Sequence, residues 1–263
     1  MNVAEIDRSL QRATAAGQIL STAERVAMSN AMLLLWKNKR VHNFAKVVFW
    51  GKICTSGKCD YLIMQCFDEK LHLARKKLSQ NLYSKDNGVT FSLLPDIDSF
   101  FAKKAGEVQV AFTGDPSYLY NTSGGQKISE EQRLSAVINA IDKDCWIVPR
   151  GCLTFTSHFE AVANPTWEGI SGDGVFDLRN WVHIRHIPSI NKMNPLDSNF
   201  LQSITDDDIT DCWTSRYDPV KSSMIVSNWI WPGFKFFYKT GSKQFGRTYM
   251  GDGCRNVDFQ FMA

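Results

Sequence analysis

"VFWGKICTSGKCDYLIM", residues 48–64, decides how the chain is read. Apolar residues recur there at a spacing of two, the strand period, in two runs at 46–54 and 60–66. Thr55-Ser56-Gly57-Lys58 lies between them, so the spacing predicts a hairpin, with Gly57 supplying the positive φ such a turn often needs. Alternation puts Val47, Phe49 and Ile53 on one face of the first strand and Val48 and Trp50 on the other. Gly51 lets the strand bend or lets another backbone come close. Two apolar faces need two covers: one from the chain's own helices, the other from a second layer or a partner.

On the N-terminal side, residues 4–16 read as a helix ended by Gly17. Ser21-Thr22-Ala23-Glu24 is a capping box, in which the Ser hydroxyl and the Glu carboxylate each satisfy the other's backbone N–H. It opens a second helix whose apolar stripe is expected at Val26, Ala27, Ala31, Leu34 and Leu35, with Asn30 as the polar exception.

On the C-terminal side, 68–80 reads as a further helix, and 107–113 as a strand with Val108, Val110 and Phe112 on one face. Ser129-Glu130-Glu131-Gln132 caps a helix with a buried stripe at Leu134, Val137, Ile138 and Ile141. Strands are expected at 145–148 and 152–156. Residues 157–222, rich in Pro, Asn, Gly and Asp, resist assignment. Four aromatic strands follow at 224–231, 234–239, 247–250 and 257–262, separated by Pro232-Gly233, Gly241-Ser242 and Gly251-Asp252-Gly253. The fold class is α+β, with N-terminal helices packed on a largely antiparallel, aromatic-rich sheet. One domain over 1–263 is expected, with a helical part at 1–42 and a sheet-rich body at 43–263.

The net charge of +3 gives no strong reason to expect nucleic acid or acidic lipid. The first twelve residues lack an apolar signal core, and the longest apolar run, 31–36, is too short for a bilayer, so a soluble intracellular protein is expected. Seven cysteines, an odd number, fit reduced thiols. Metal ligation is not expected: Cys54 and Cys59 have no second close pair, and His183 and His186 would point to opposite strand faces. No Gly-x-Ser-x-Gly elbow and no dinucleotide fingerprint are present. Glycines precede a helix start at 121–132, but Glu130 and Glu131 put negative charge where an anion would bind. Asp206 to Asp208 reads as a solvated turn. No catalytic, cofactor or metal residues are therefore expected. The mixture of aromatics with Lys and Arg at 234–251 leaves a nucleic-acid or small-ligand module as the alternative.

Four segments together resemble the radial spoke head protein 9 family of motile cilia: 47–65, 112–121, 133–151 and 228–262. They come in family order and run to the end of the chain. The phenylalanine-Trp-Gly-lysine and Asp-Tyr hairpin pattern is shared with the longer paralogous head proteins 4 and 6. Two departures stand out: a short loop after Tyr120, and a poor match over 157–222. The resemblance implies a non-enzymatic subunit of the spoke head in the ciliary axoneme. It implies a hetero-oligomeric complex with head proteins 4 and 6 and further head subunits, and a part in the mechanical regulation of dynein. No nucleic acid, membrane or cofactor is implied. Trp50, Tyr118, Tyr120, Trp229, Trp231 and Phe237 are the candidate partner-contact residues. For Trp50 the alternative is ordinary core; for the Tyr118–Tyr120 stretch and for Trp231-Pro232-Gly233 it is a structural corner, with Pro116 presetting φ and Asp115 bonding forward.

Overall fold

The expected hairpin forms from β1 (Lys46–Ile53) and β2 (Tyr61–Phe67). A computed structural model of the protein describes residues 20–37, 46–67, 71–72, 79–156, 160–170, 172–185 and 201–259. The helix expected at 4–16 lies outside them, as does His186.

The hairpin departs from simple alternation at one point. Phe49 pairs with Met64 and Gly51 with Ile63, which leaves Trp50 as an extra residue in a β-bulge. The bulge shifts the parity of the strand. Ile53 therefore shares a core with Trp50, while Val47 and Phe49 belong to another. Gly57 does not take a positive φ. Glycine is needed there because a Cβ would run into the Thr113 carbonyl oxygen.

The remaining strands are β3 (Leu71–His72), β4 (Gln80–Ser84), β5 (Ser92–Leu93), β6 (Leu119–Asn121), β7 (Lys127–Ser129), β8 (Ile147–Pro149), β9 (Leu153–Phe155), β10 (Glu160–Ala163), β11 (Trp181–His183), β12 (Trp213–Asp218), β13 (Ser223–Asn228), β14 (Phe234–Lys239) and β15 (Phe245–Gly251). Six of them join β1 and β2 in one eight-stranded sheet in the order β12-β13-β14-β15-β1-β2-β4-β5. Every pair is antiparallel except β15–β1, which is parallel and joins the two ends of the chain. At that junction Gly51 lies opposite Tyr249, and a Cβ on Gly51 would collide with the Tyr249 backbone.

Helices cover both faces of the central strands. On one face lies α1 (Thr22–Lys37), opened by the expected box: Ser21 N donates to Glu24 Oε2 at 2.7 Å and Glu24 N to Ser21 Oγ at 3.2 Å. Its buried row is Glu24, Met28 and Met32, flanked by Ala31 and Leu35; Val26, Asn30 and Leu34 face solvent. The helix is thus turned from the expected stripe, because its apolar residues nearly encircle it and the sheet selects the row with the longest side chains. Lys52 on β1 ties down the first turn by reaching Glu24 at 3.1 Å and Asp60 at 2.8 Å.

The short α2 (Ser99–Gly106), capped by Asp98, was not foreseen. The strand expected at 107–113 is reduced to a single bridge between Phe112 and Thr55, with Val110 exposed. The other face is covered by α3 (Glu130–Cys145), whose Ser129/Gln132 capping box and stripe of Leu134, Val137, Ile138 and Ile141 are as expected. That stripe meets Trp50, Ile53, Tyr61 and Ile63 of the hairpin and Phe234, Phe236 and Tyr238 of β14 in the main core. Of the helix expected at 68–80, Leu71–His72 and Gln80 are strand, and most of the rest lies outside the described residues. Residues 257–259 are not strand, and β12, inside the stretch that resisted assignment, is. The fold is α+β with a largely antiparallel sheet.

Candidate docking surface

Polar bonds fasten α3 to the sheet at both of its ends. In the first turn, Glu130 is fully buried and accepts from the hydroxyls of Tyr61 (2.7 Å), Tyr120 (2.5 Å) and Thr113 (2.8 Å) and from Thr113 N (2.8 Å) and Gly114 N (2.7 Å). Burial pushes its carboxyl pKa up, but the donors from Tyr120, Tyr61 and Thr113 outweigh that and hold it below the usual value. Burial and the same carboxylate push the Tyr120 hydroxyl up to about 12. One turn on, buried Arg133 lies 4.1 Å from the Phe112 ring centroid and 4.9 Å from that of Tyr120, and donates to Val110 O.

In the last turn, Asp142 accepts from Trp50 Nε1 (2.8 Å) and Gln65 Nε2 (2.5 Å) and pairs with Arg247 at 3.3 Å. A carboxylate is disfavoured at a helix C-terminus, and the guanidinium of Arg247 offsets this. Burial lowers the Arg247 pKa to about 10 against the pull of Asp142, and its guanidinium stacks 3.7 Å over the Trp146 ring. Trp231 Nε1 donates to Asp144 at 2.9 Å, and Trp213 Nε1 to Asp207 at 2.8 Å. Asp207 also meets buried His183 Nε2 at 2.9 Å. The acidic turn at 206–208 is therefore an internal anchor at Asp207 rather than a wholly solvated one. Buried tryptophans on three strands or corners each end on an aspartate, which satisfies the indole N–H inside the core.

The six residues expected to meet a partner fall into two groups. Trp50, Tyr120, Trp231 and Phe237 are interior. Trp50 and Trp231 are pinned to α3, Tyr120 to Glu130, and Phe237 lies over Gly246. Tyr118 and Trp229 remain at the surface, 48% and 49% exposed. The corner at Asp115-Pro116 forms as expected, with Ser117 N donating to Asp115 Oδ1 at 3.0 Å. Tyr118 sits on it, edge-on to Tyr120 at 4.9 Å.

Contacts tie down the segments near both exposed rings. Tyr120 touches Arg133, Arg133 donates to Val110 O, Cys254 Sγ also donates there, and Asn256 Nδ2 donates to Trp229 O. Tyr118, Val110, Val257 and Trp229 are thus the exposed apolar residues on the segments that these contacts hold. A recess of about 270 Å³ lies elsewhere, lined by Gln80, Leu93, Leu94, Pro95, Asp96 and Glu131. Its Glu131 is engaged by the Tyr83 hydroxyl at 2.9 Å.

No protein-family model matches the chain. Curated relatives do. The chain is 32% identical over 278 residues to the radial spoke head protein 9 homolog of Danio rerio, covering 97% of both chains. It is 30% identical over 276 residues to the homologs of Mus musculus and Homo sapiens, again with 97% of each covered. The chain belongs to the radial spoke head protein 9 family.

Within this radial spoke head protein 9 family member, the basic aromatic segment does not form a stacking platform. Phe234, Phe236 and Tyr238 point into the main core, and Lys235 donates to Ser227 Oγ at 2.8 Å. Among the described residues, no group of three or more His, Cys, Asp or Glu is placed to hold a metal ion, and no helix is long and apolar enough to cross a membrane. Sequence reading missed Glu130, Arg133, Asp142 and Asp207. Glu130, Arg133 and Asp142 carried a signal: they stand on or beside the α3 stripe, where a charged residue at a core-facing position calls for buried partners.

Proposed function

We propose that the chain is a structural subunit of the radial spoke head of motile cilia. It supports assembly of the head and so takes part in the mechanical regulation of dynein-driven beating. Its partners are the paralogous head proteins 4 and 6 and other head subunits, and its place is the ciliary axoneme. The observation that carries this reading is the 30–32% identity over 97% of the chain to radial spoke head protein 9 homologs, and the exposed rings of Tyr118 and Trp229 are the candidate contacts. The carboxylates of Glu130 and Asp142 are used within the fold. The chain's exposed rings are thus available to a protein partner, whose interface cores favour Tyr and Trp.

A tagged copy with Tyr118→Ala and Trp229→Ala in a flagellated cell tests it. The expected outcome is unchanged thermal unfolding of the purified protein and loss of the axonemal signal. A diffuse cytosolic signal from the unaltered chain overturns the spoke-head reading itself. Axonemal signal from the double variant at the unaltered level removes these two rings from the contact.

A further inference from the structure

The two edges of the main sheet differ. At one, β5 is two residues long, and Leu94 N closes it by donating to Asn81 O. At the other, β12 is six residues long and its ladder with β13 is unbroken. Trp229 N donates to Cys212 O, which sets the phase of that ladder. The hydrogen-bonded pairs are then Thr214–Ser227 and Arg216–Ile225, so the N–H and C=O groups of Ser215 and Tyr217 point away from the sheet. They have no other partner among the described residues. Natural edges are usually guarded by proline, charged side chains or a bulge; β12 has no proline and no bulge, its charges are Arg216 and Asp218, and Pro219 stands just past its end.

Side chains along this edge sort by face. Away from the main core, Arg216 lies near Lys235 of β14, and neither has a carboxylate partner among the described residues. Burial lowers the Lys235 pKa, and the Arg216 charge lowers it further. On the core side, Tyr217 meets the ring of Phe176 at 5.5 Å, and Phe176 is 52% exposed. The edge thus offers free backbone groups, a basic face and an apolar lip.

Resting on the spoke-head reading, we propose that β12 receives an extended segment of a partner protein as a ninth strand, with acidic and apolar residues alternating along it. Acidic residues fall on the Arg216 and Lys235 face, and apolar ones against Phe176 and Tyr217. A second copy of this chain fits less well. Antiparallel self-pairing centred on Ser215 sets Arg216 opposite Thr214, which supplies no charge. The register that sets Arg216 opposite Asp218 sets Ser215 opposite Pro219, which has no N–H to give.

Amide hydrogen exchange of the full chain, alone and within isolated spoke heads, tests the proposal. Ser215 and Tyr217 amides are expected to exchange openly in the free chain and to slow by about 100-fold or more in the head. Ser215→Pro removes an outward N–H and no ladder bond, so the free chain stays folded and is lost from the head. Arg216→Glu, a surface change independent of backbone tolerance, is expected to lower incorporation by about tenfold. Normal incorporation of both variants, or open amides in the assembled head, overturns the proposal and leaves the spoke-head reading standing. Protection already present in the free chain, with a doubled mass in solution, overturns it in favour of self-pairing. Absence of the unaltered chain from spoke heads ends both readings.

Discussion

The β1–β2 hairpin and the β12–β13 hairpin are built from similar alternating segments but have opposite environments. The first is central: α1 covers one face, α3 the other, and β15 and β4 occupy both flanks. The second hangs at the sheet margin, with Thr214, Ser215 and Arg216 in solvent and one flank unpaired among the described residues. In the first, each side chain is constrained from several directions, so small changes propagate into packing. In the second, backbone pairing with β13 carries the structure and the outward side chains are free for other contacts. The contrast explains why aromatic content alone is a poor guide to contact surface. Trp50 in the centre is spent on the core, whereas Trp229 at the corner after β13 is half in water.

The contrast can be broken most severely at Gly51. Gly51→Val forces a side chain into the Tyr249 backbone, so the parallel β1–β15 junction should open with a loss of more than about 4 kcal/mol, read as a collapse of the urea midpoint. Next comes the α3 anchor. Glu130→Ala orphans two tyrosine hydroxyls and the donors at Thr113 and Gly114, with an expected cost of about 3 kcal/mol in the same titration.

Glu130 also sharpens the contrast through pH. Its folded pKa is lowered relative to the unfolded value of about 4.3. The stability it contributes is therefore present above that value and is lost as pH falls through the folded pKa. Glu130→Gln should flatten the stability–pH curve below about pH 4; a slope identical to that of the unaltered chain would show that the carboxylate is not the titrating anchor. Smaller again, Trp50→Phe keeps the ring and loses the indole bond to Asp142, for an expected loss of about 2 kcal/mol. At the margin, Arg216→Ala should move the urea midpoint by no more than about 0.5 kcal/mol equivalent. A larger effect would mean that β12 is held by more than its ladder.

Much of this was legible in the chain. Both capping boxes, the central hairpin, the α3 stripe and the three C-terminal strands through Met250 arise from local causes: caps, periodicity and turn residues within a few positions of one another. The α1 stripe was misread because Val26, Leu34 and the methionines surround the helix, and periodicity cannot choose among rows that are all apolar. Parity across Trp50 was missed because a bulge adds a residue without marking it in composition.

Local chemistry, then, was enough for the α+β class and the main helix and strand starts, and the combination of segments was enough for family membership. What needed the folded chain was which aromatics face water and which acids are buried. Tyr61 and Glu130 are 69 positions apart and Trp50 and Asp142 are 92 apart, so nothing in either neighbourhood encodes the pairing. Burial of an indole and of a carboxylate becomes favourable only once the sheet and α3 bring them within bonding distance, because each alone would carry an unpaid desolvation cost.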